Sequence, residues 1–332
     1  MNFKTKKTVA LLLAVITVLL AFTFTGCSEK EEVTERVTIK AAGLKGPTSM
    51  GLVKLMEDNA NKTAKNDYEF TIAGTADEIT PKLIQGQFDI AAIPANLASV
   101  LYNNTDGQIQ VLAVNTLGVL YIVAKGVEIN SLDDLKGKTV YATGKGSTPE
   151  YGLKYILSSN GIDPASDLNI EWKSEPAEAV ALLSAAETGI AMLPQPYVTV
   201  ACGSVDGLEI KINLNDEWNK LDNDSQFITS VLVVRKAFAE AHPEQIADFL
   251  EEAAASASYI NANTEDGAVL VEKYGIVAAA VAKNAIPYCN ITFITGNEMK
   301  TALSSYLEIL YNQKAESVGS ALPGDDFYYE GQ

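Results

Sequence analysis

The chain has 332 residues, with 42 acidic against 25 basic side chains and a formal net charge of −17. Such a surface excludes nucleic acid as a partner, because phosphate backbones need Lys and Arg opposite them, and it keeps a protein soluble and off anionic lipid head groups. One histidine, His242, and scattered acids give no metal-ligand spacing, so neither a metal nor a cofactor is expected.

Lys4, Lys6 and Lys7 precede an apolar run from Val9 to Phe24, which stops at Gly26-Cys27 and turns polar at once. A basic start, an apolar stretch and a small residue at the end make an export signal. The alternative, a plain transmembrane anchor, wants a longer run. Phe24-Thr25-Gly26-Cys27 resembles a bacterial lipobox, with Phe where Leu is usual. The expectation is a lipoprotein signal peptide over 1–26, lipid on Cys27, and a charged, flexible linker over 27–35.

From there strands and helices alternate. Val37–Ala41 reads as strand, 43–47 as a turn and Thr48–Asn59 as helix. Tyr68–Ile72 is strand, Asp77–Gln85 helix ended by Gly86, Phe88–Ile93 a short apolar strand, Asn96–Leu101 helix and Ile109–Val114 strand. A long apolar strand, Val119–Ala124, opens a second series. It runs through a capping-box turn at Ser131–Asp134, strand Thr139–Ala142, helix Pro149–Ser159, strand Leu168–Trp172, helix Ala177–Ala186, strand Gly189–Leu193, helix Tyr197–Ala201 and strand Leu208–Ile212. Phe227–Val234 is again long and apolar. Beyond it the chain is helical, first from Pro243, where Ile246, Phe249, Leu250, Ala253 and Ala257 recur at helical spacing, then around 265–273, 276–284 and 297–312. Residues 320–332 carry no assignment.

Alternation of this kind predicts mostly parallel sheets. A chain of this length exceeds the size at which single cores stop growing. Two α/β units joined by two apolar strands therefore predict two lobes with a hinge near Asn115–Gly118 and Ser225–Ser230. Lobe I takes 36–117 and 232–332, and lobe II takes 118–231. The competing pattern is one large α/β sheet. Cys202 and Cys289, in different lobes and without CxxC spacing, are expected as buried small apolar residues rather than a disulfide.

Several stretches carry a resemblance. The helix before Gly86-Gln87-Phe88-Asp89-Ile90-Ala91, the entry Ser131-Leu132-Asp133-Asp134-Leu135-Lys136-Gly137-Lys138-Thr139-Val140, the turn Leu193-Pro194-Gln195-Pro196 and the helix opening His242-Pro243-Glu244 occur in an order and spacing similar to the SsuA/THI5-like (NMT1-like) group of solute-binding proteins. The resemblance spans about 37–312. It implies an α/β, two-lobe type 2 periplasmic-binding-protein fold with two crossover strands at the hinge, closing on a solute like a clamshell. It also implies ABC permease partners and no catalytic step. Yeast thiamine-precursor synthases of this superfamily use a cysteine-rich segment and histidine chemistry, and this chain has neither. Gln195 stands where the family turn has an acid, which removes a carboxylate partner for a cation.

In α/β lobes a ligand sits beyond the carboxyl ends of the strands, at helix starts. Three loops fit: Lys45, Thr48 and Ser49 after the first strand, Gly74 and Thr75 after the second, and Gly146, Ser147 and Thr148 in the second lobe. Asn96, Thr116 at the hinge, Gln195 and Tyr197 join them. Each hydroxyl has a second reading, as a cap of its own helix; Asn96 stays open between cap and ligand group. Gly144-Lys145-Gly146-Ser147-Thr148 is no P-loop, lacking Gly-Lys-Ser/Thr. Tyr121, Trp172 and Phe227 read as core before stacking surfaces, His242 as structural, and Asp89 as a loop-fixing hydrogen-bond acceptor. The expected protein is a monomeric, lipid-anchored, extracytoplasmic binding protein for a small oxyanion such as a sulfonate, or for a thiamine-precursor-like heterocycle. The alternatives are an enzyme on the same fold, similar to those of the menaquinone pathway, and a ligand-sensing lipoprotein without a permease.

Overall fold

The computed structural model describes residues 36–331. The export signal, Cys27 and the linker lie outside the described residues. Three parallel strands open the first sheet, β1 (Thr38–Leu44), β2 (Asp67–Ala73) and β3 (Ile90–Pro94), with β1 paired to both others. β4 (Ile109–Leu117) belongs to the same sheet. Only Gly118 and Val119 separate it from β5 (Leu120–Lys125), which already lies in a second sheet. There β6 (Thr139–Thr143) pairs in parallel with β7 (Asn169–Lys173) and β8 (Gly189–Pro194), while β9 (Leu208–Asn213) pairs antiparallel with β5. β10 (Ile228–Arg235) returns the chain to the first sheet, between β3 and β4 and antiparallel to both. β11 (Ile291–Ile294) adds to the edge of β4.

The two sheets, β11-β4-β10-β3-β1-β2 and β7-β6-β8-β5-β9, follow one plan. In each, the first strand is flanked by the second and third. The third pairs with an antiparallel strand that arrived from the other sheet, and the fourth lies beyond it. The arriving strands are β5 and β10, the two apolar runs expected to cross. They are rich in Val, Ile and Leu because both of their faces are covered. Gly118 is needed at the crossover: a Cβ there would lie 2.6 Å from Phe227 Cδ1 and 2.8 Å from Asn215 Oδ1.

One apolar cluster joins the two lobes. It runs from Ile93 and Val111 through Phe227 and Tyr306 to Trp218, Ile122 and Ala142. A second fills the other face of the first sheet, under helices Val53–Ala60 and Pro243–Ala262, and a third backs β5 and β8 with Ala179, Leu183 and Val198.

Differences from the expectations are local. The predicted helix Thr48–Asn59 is two helices, Pro47–Met50 and Val53–Ala60, parted at Gly51, a poor helix former. Residues 320–331, left unassigned, are ordered against the first sheet. The short β11 pairs with β4 at Val114 and Thr116, and Tyr328 bridges to Val111 further along, with Tyr329 N donating to Val111 O at 3.0 Å, a length typical of a strand bond. Cys202 and Cys289 are free. Cys289 is fully buried, with Sγ 3.8 Å from Met50 Sδ. Cys202 is only half-buried, because helix Tyr197–Ser204 turns Val198 and Ala201 to the core and leaves its other face open. Among the described residues no helix is long and apolar enough to cross a membrane.

Candidate functional site

Every residue singled out from the sequence lies at or just beyond the carboxyl end of a strand: Lys45, Thr48 and Ser49 after β1, Gly74 and Thr75 after β2, Asn96 after β3, Thr116 in β4, Gly146, Ser147 and Thr148 after β6, and Gln195 and Tyr197 after β8. The structure draws a subset of them into one seam between the lobes. Thr148 Oγ1 donates to Asn96 Oδ1 at 3.1 Å, joining the helix after β6 to the helix after β3. Asn96 Nδ2 in turn donates to Ser317 O at 3.1 Å. Asn115 Nδ2 donates to Thr48 O at 2.8 Å, and Ser230 Oγ donates to Asn115 Oδ1 at 2.9 Å. Ser230 also pairs with Pro94 and Thr116 across the sheet. The Gly46 loop meets the turn after β8, since a Cβ on Gly46 would lie 3.9 Å from Pro196 Cδ.

Three of the expected residues have a buried side-chain atom without a partner in the chain: Ser49 Oγ, which packs against Gly43, Thr116 Oγ1 and Gln195 Nε2; Asn223 Nδ2, Gln226 Oε1 and the Tyr306 hydroxyl beside Thr148 share that condition. Ser49, Thr116 and Gln195 are 0 %, 0 % and 2 % exposed. Buried polar groups are nearly always hydrogen-bonded, so unpartnered atoms at the strand ends are exceptions that call for an explanation. The side chains around them are uncharged hydroxyls and amides: Thr48, Asn96, Asn115, Thr148 and Ser230.

Other expected residues are engaged elsewhere. Gly74 N, Thr75 N and Thr75 Oγ1 all donate to Glu78 Oε1, at 3.1, 3.0 and 3.2 Å, which is a helix-start cap on an exposed loop. Gly146 N donates to Glu150 Oε2 at 2.6 Å, and Ser147 Oγ donates to Gly144 O at 2.8 Å. Burial works to raise the Glu150 pKa, but the Lys154 ammonium, 2.5 Å from Oε1, and the Gly146 N–H outweigh it and leave the carboxyl below its usual range. Lys45 and Tyr197 are exposed.

The aromatics fall where core packing places them. Phe227 is fully buried and stacks on Trp218, ring centres 5.0 Å apart; Tyr121 is buried and donates its hydroxyl to Tyr288 O at 2.8 Å; Trp172 is half-buried. Burial raises the pKa of the fully buried Tyr306 hydroxyl, with the Thr148 hydroxyl acting in the opposite sense. Asp89 accepts from Lys40 N at 3.0 Å and from Arg235 Nη2 at 2.6 Å, tying β3 to β1 and β10 as the loop-fixing reading requires. His242 starts its helix against Phe238. Among the described residues no group of His, Cys, Asp and Glu could hold a metal ion. A surface cavity of about 360 Å³, bordered by Leu83, Gln108, Arg235, Lys236 and Glu240, lies at the opposite end of the first sheet and holds none of the seam residues.

Sequence reasoning missed Asn115 and Ser230 as members of the seam, and Thr199, whose Oγ1 donates to Gln195 Oε1 at 2.9 Å. Ser230 had a signal, as a hydroxyl inside the apolar run of β10. Thr199 had one too, four residues after Gln195 in a helix start, where i and i+4 side chains meet.

The architecture and one family profile agree. Residues 52–285 match the profile described as "ABC transporter, phosphonate, periplasmic substrate-binding protein". Among solved structures, an ABC transporter protein from Parabacteroides distasonis superposes with a TM-score of 0.75 at 23% identity, over 89% of this chain and 99% of that one. The periplasmic aliphatic sulphonate binding protein SsuA from Escherichia coli gives 0.71 at 16% identity, over 89% and 92%. The ligand-binding component of an ABC-type import system from Staphylococcus aureus, solved with zinc bound, gives 0.68 at 18%, over 89% and 97%. No curated protein matches the chain in sequence. At these identities the superpositions establish the two-lobe periplasmic-binding-protein fold. The profile spans well over half of the chain, and the chain therefore belongs to the family of periplasmic substrate-binding proteins of phosphonate ABC transporters.

Proposed function

We infer that this chain is the extracytoplasmic solute-binding lipoprotein of an ABC importer, and that it captures a small oxyanion between its lobes without chemistry. The observation that carries the reading is the trio of buried, unpartnered atoms at the seam, Ser49 Oγ, Thr116 Oγ1 and Gln195 Nε2. Hydroxyls and an amide suit the oxygens of a sulfonate or phosphonate. The sulphonate named for the E. coli neighbour and the phosphonate named for the family are both oxyanions. In this reading lobe I (36–117 and 232–332) and lobe II (118–231) bend about 115–118 and 225–230. Closure buries the solute, and the permease reads the closed form of the monomer. Lipid on Cys27 holds the protein on the outer face of the cell membrane, since two or more acyl chains anchor stably.

Thermal unfolding against sulfonates, nitrate, carboxylates, phosphonates, thiamine precursors and riboflavin tests the solute. A ligand at a hundred times its Kd adds about 2.7 kcal/mol. A shift with one oxyanion class supports the reading. A shift with heterocycles alone replaces the solute class, and a flat panel with no co-purifying small molecule by native mass spectrometry overturns solute capture. Cys27→Ala should abolish incorporation of labelled palmitate in cells; label that persists overturns the lipid anchor.

A further inference from the structure

We propose that Gln195 determines which solutes the seam accepts, by presenting its amide nitrogen, which can only donate; the proposal rests on the seam being the solute site. Gln195 follows β8, and its backbone N–H donates to Val119 O at 2.9 Å, which fixes it beside the crossover from β4 to β5. Its Oε1 accepts from Thr199 Oγ1 at 2.9 Å and faces Thr199 N at 3.4 Å. A backbone N–H can only donate, so the amide atom turned towards it is the oxygen. The opposite atom, Nε2, is buried and unpartnered. It carries two donor hydrogens and no lone pair to offer.

The other two unpartnered groups differ in kind. Ser49 and Thr116 are hydroxyls, which rotate to donate or to accept. They adapt to the solute, whereas Gln195 does not. A solute atom seated against Nε2 must therefore be an acceptor, such as a sulfonate, phosphonate, carboxylate or carbonyl oxygen. An ammonium placed there leaves donor against donor. Sites built around a directed hydrogen bond reject the wrong partner far more strongly than apolar pockets do, because a buried polar group is left unpaired. Thr199 acts through Gln195 as a positioning residue: without its hydroxyl only the longer 3.4 Å backbone contact holds the amide, which then turns over more readily to offer its oxygen.

Isothermal calorimetry on the purified full-length chain in detergent, from pH 4.5 to pH 8, tests this with ethanesulfonate, propionate and ethylphosphonate as probes and ethylammonium as the opposite sign. Affinities of each variant are read as ratios to the unaltered protein at the same pH, so that ionisation of the probe cancels. The unaltered protein binds at least one of the three anions and not ethylammonium. In Gln195→Glu, Thr199 still holds one carboxyl oxygen; burial raises the carboxyl pKa, and above it the group can only accept. At the alkaline end of the range anion binding falls on the order of tenfold to a hundredfold. Affinity recovers towards the acid end, where the protonated carboxyl donates as the amide did. Gln195→Ala weakens binding about tenfold at every pH, and Thr199→Val narrows the preference for anions over ethylammonium. A purely structural role gives the same loss in the Glu and Ala variants with no pH dependence. Binding in Gln195→Glu that equals the unaltered protein across the whole pH range, or a loss that does not recover in acid while circular dichroism shows a folded chain, overturns the assignment of Gln195 and leaves the solute site standing. An unaltered protein that binds none of the three anions overturns the oxyanion reading and this proposal together.

Discussion

Phe227 and Gly152 form a close contact at the junction of the two lobes, and its energy can be worked from the geometry. Phe227 is fully buried, stacked on Trp218 at 5.0 Å with the ring planes 10° apart, and 6.4 Å from Tyr306. Its edge fills the space above Gly152, where a Cβ would lie 2.5 Å from Cε2. Phe227→Ala removes the ring and leaves a cavity, a loss of about 3–5 kcal/mol, of which roughly 0.5–1.5 kcal/mol is the aromatic geometry itself. Gly152→Ala drives a methyl into the ring and costs about 1–3 kcal/mol. Together the two changes partly cancel, because the new methyl occupies part of the cavity. The double variant should therefore be more stable than the sum of the single losses by about 1 kcal/mol or more. Urea unfolding followed by far-ultraviolet circular dichroism gives the three values, compared at a common slope. Losses that add within about 0.5 kcal/mol, or a Phe227→Ala variant that loses less than about 1 kcal/mol, refute the packing argument.

The seam makes a contrasting prediction. Ser49→Ala and Thr116→Val each delete a buried hydroxyl that has no partner in the chain, so folding stability should hold or rise, while affinity for the oxyanion falls by about 1 kcal/mol per hydroxyl in calorimetry. Destabilisation beyond that amount would show that these hydroxyls are paired within the folded protein. Glu150 predicts a pH dependence. Burial raises its pKa, but Lys154 and the Gly146 N–H outweigh burial and depress the folded value below the ordinary 4.5. A depressed folded pKa contributes stability that is present above the unfolded value and lost as pH falls through the folded one. Glu150→Gln keeps an acceptor for Gly146 N–H and removes the charge. The unaltered protein should exceed the variant by about 1 kcal/mol or less at pH 7, with the gap closing below the ordinary 4.5. Urea midpoints from pH 7 to pH 3 measure it, and a gap that persists undiminished in acid counts against the ion pair as its source.

The elements legible in the sequence were those whose burial is two-sided or strictly periodic. β5 and β10 announce themselves as apolar runs, and helix Pro243–Ala262 by the spacing of Ile246, Phe249 and Ala253. β11 did not, because four residues pairing irregularly at a sheet edge carry no period. Helix Leu214–Asn219 was missed for the same reason: it buries Leu214, Asn215 and Trp218 in a stretch that is otherwise polar. At the site, residue type and strand-end position were legible, but partnership was not. Thr75 and Ser49 look alike in sequence, each a hydroxyl at a helix start. Only the fold shows that Thr75 meets Glu78 three residues on while Ser49 Oγ, packed over Gly43, has no hydrogen-bond partner. Likewise the pair Asn96 and Thr148 spans 52 positions and two lobes, and no local pattern links them.

Leaving Ser49, Thr116 and Gln195 buried with unmet hydrogen bonds costs about 1–3 kcal/mol for each group, set against a total stability of about 5–15 kcal/mol for a folded protein. A chain whose only requirement was to fold would gain by placing apolar side chains of the same shape at these positions, since replacing an unmet polar group by an apolar one relieves its desolvation. The cost is tolerable where a solute offers the missing partners, because any ligand that binds the folded state alone adds to its stability. In the proposed reading, stability and recognition then draw on the same atoms. The crossover links two of these residues: the passage from β4 to β5 places Thr116 and Val119 within a few residues of each other, and Val119 O holds the backbone of Gln195. In the proposed reading, the crossovers that join the two sheets also assemble the solute site from both of them, and a solute seated there would contact the segments whose relative position defines closure.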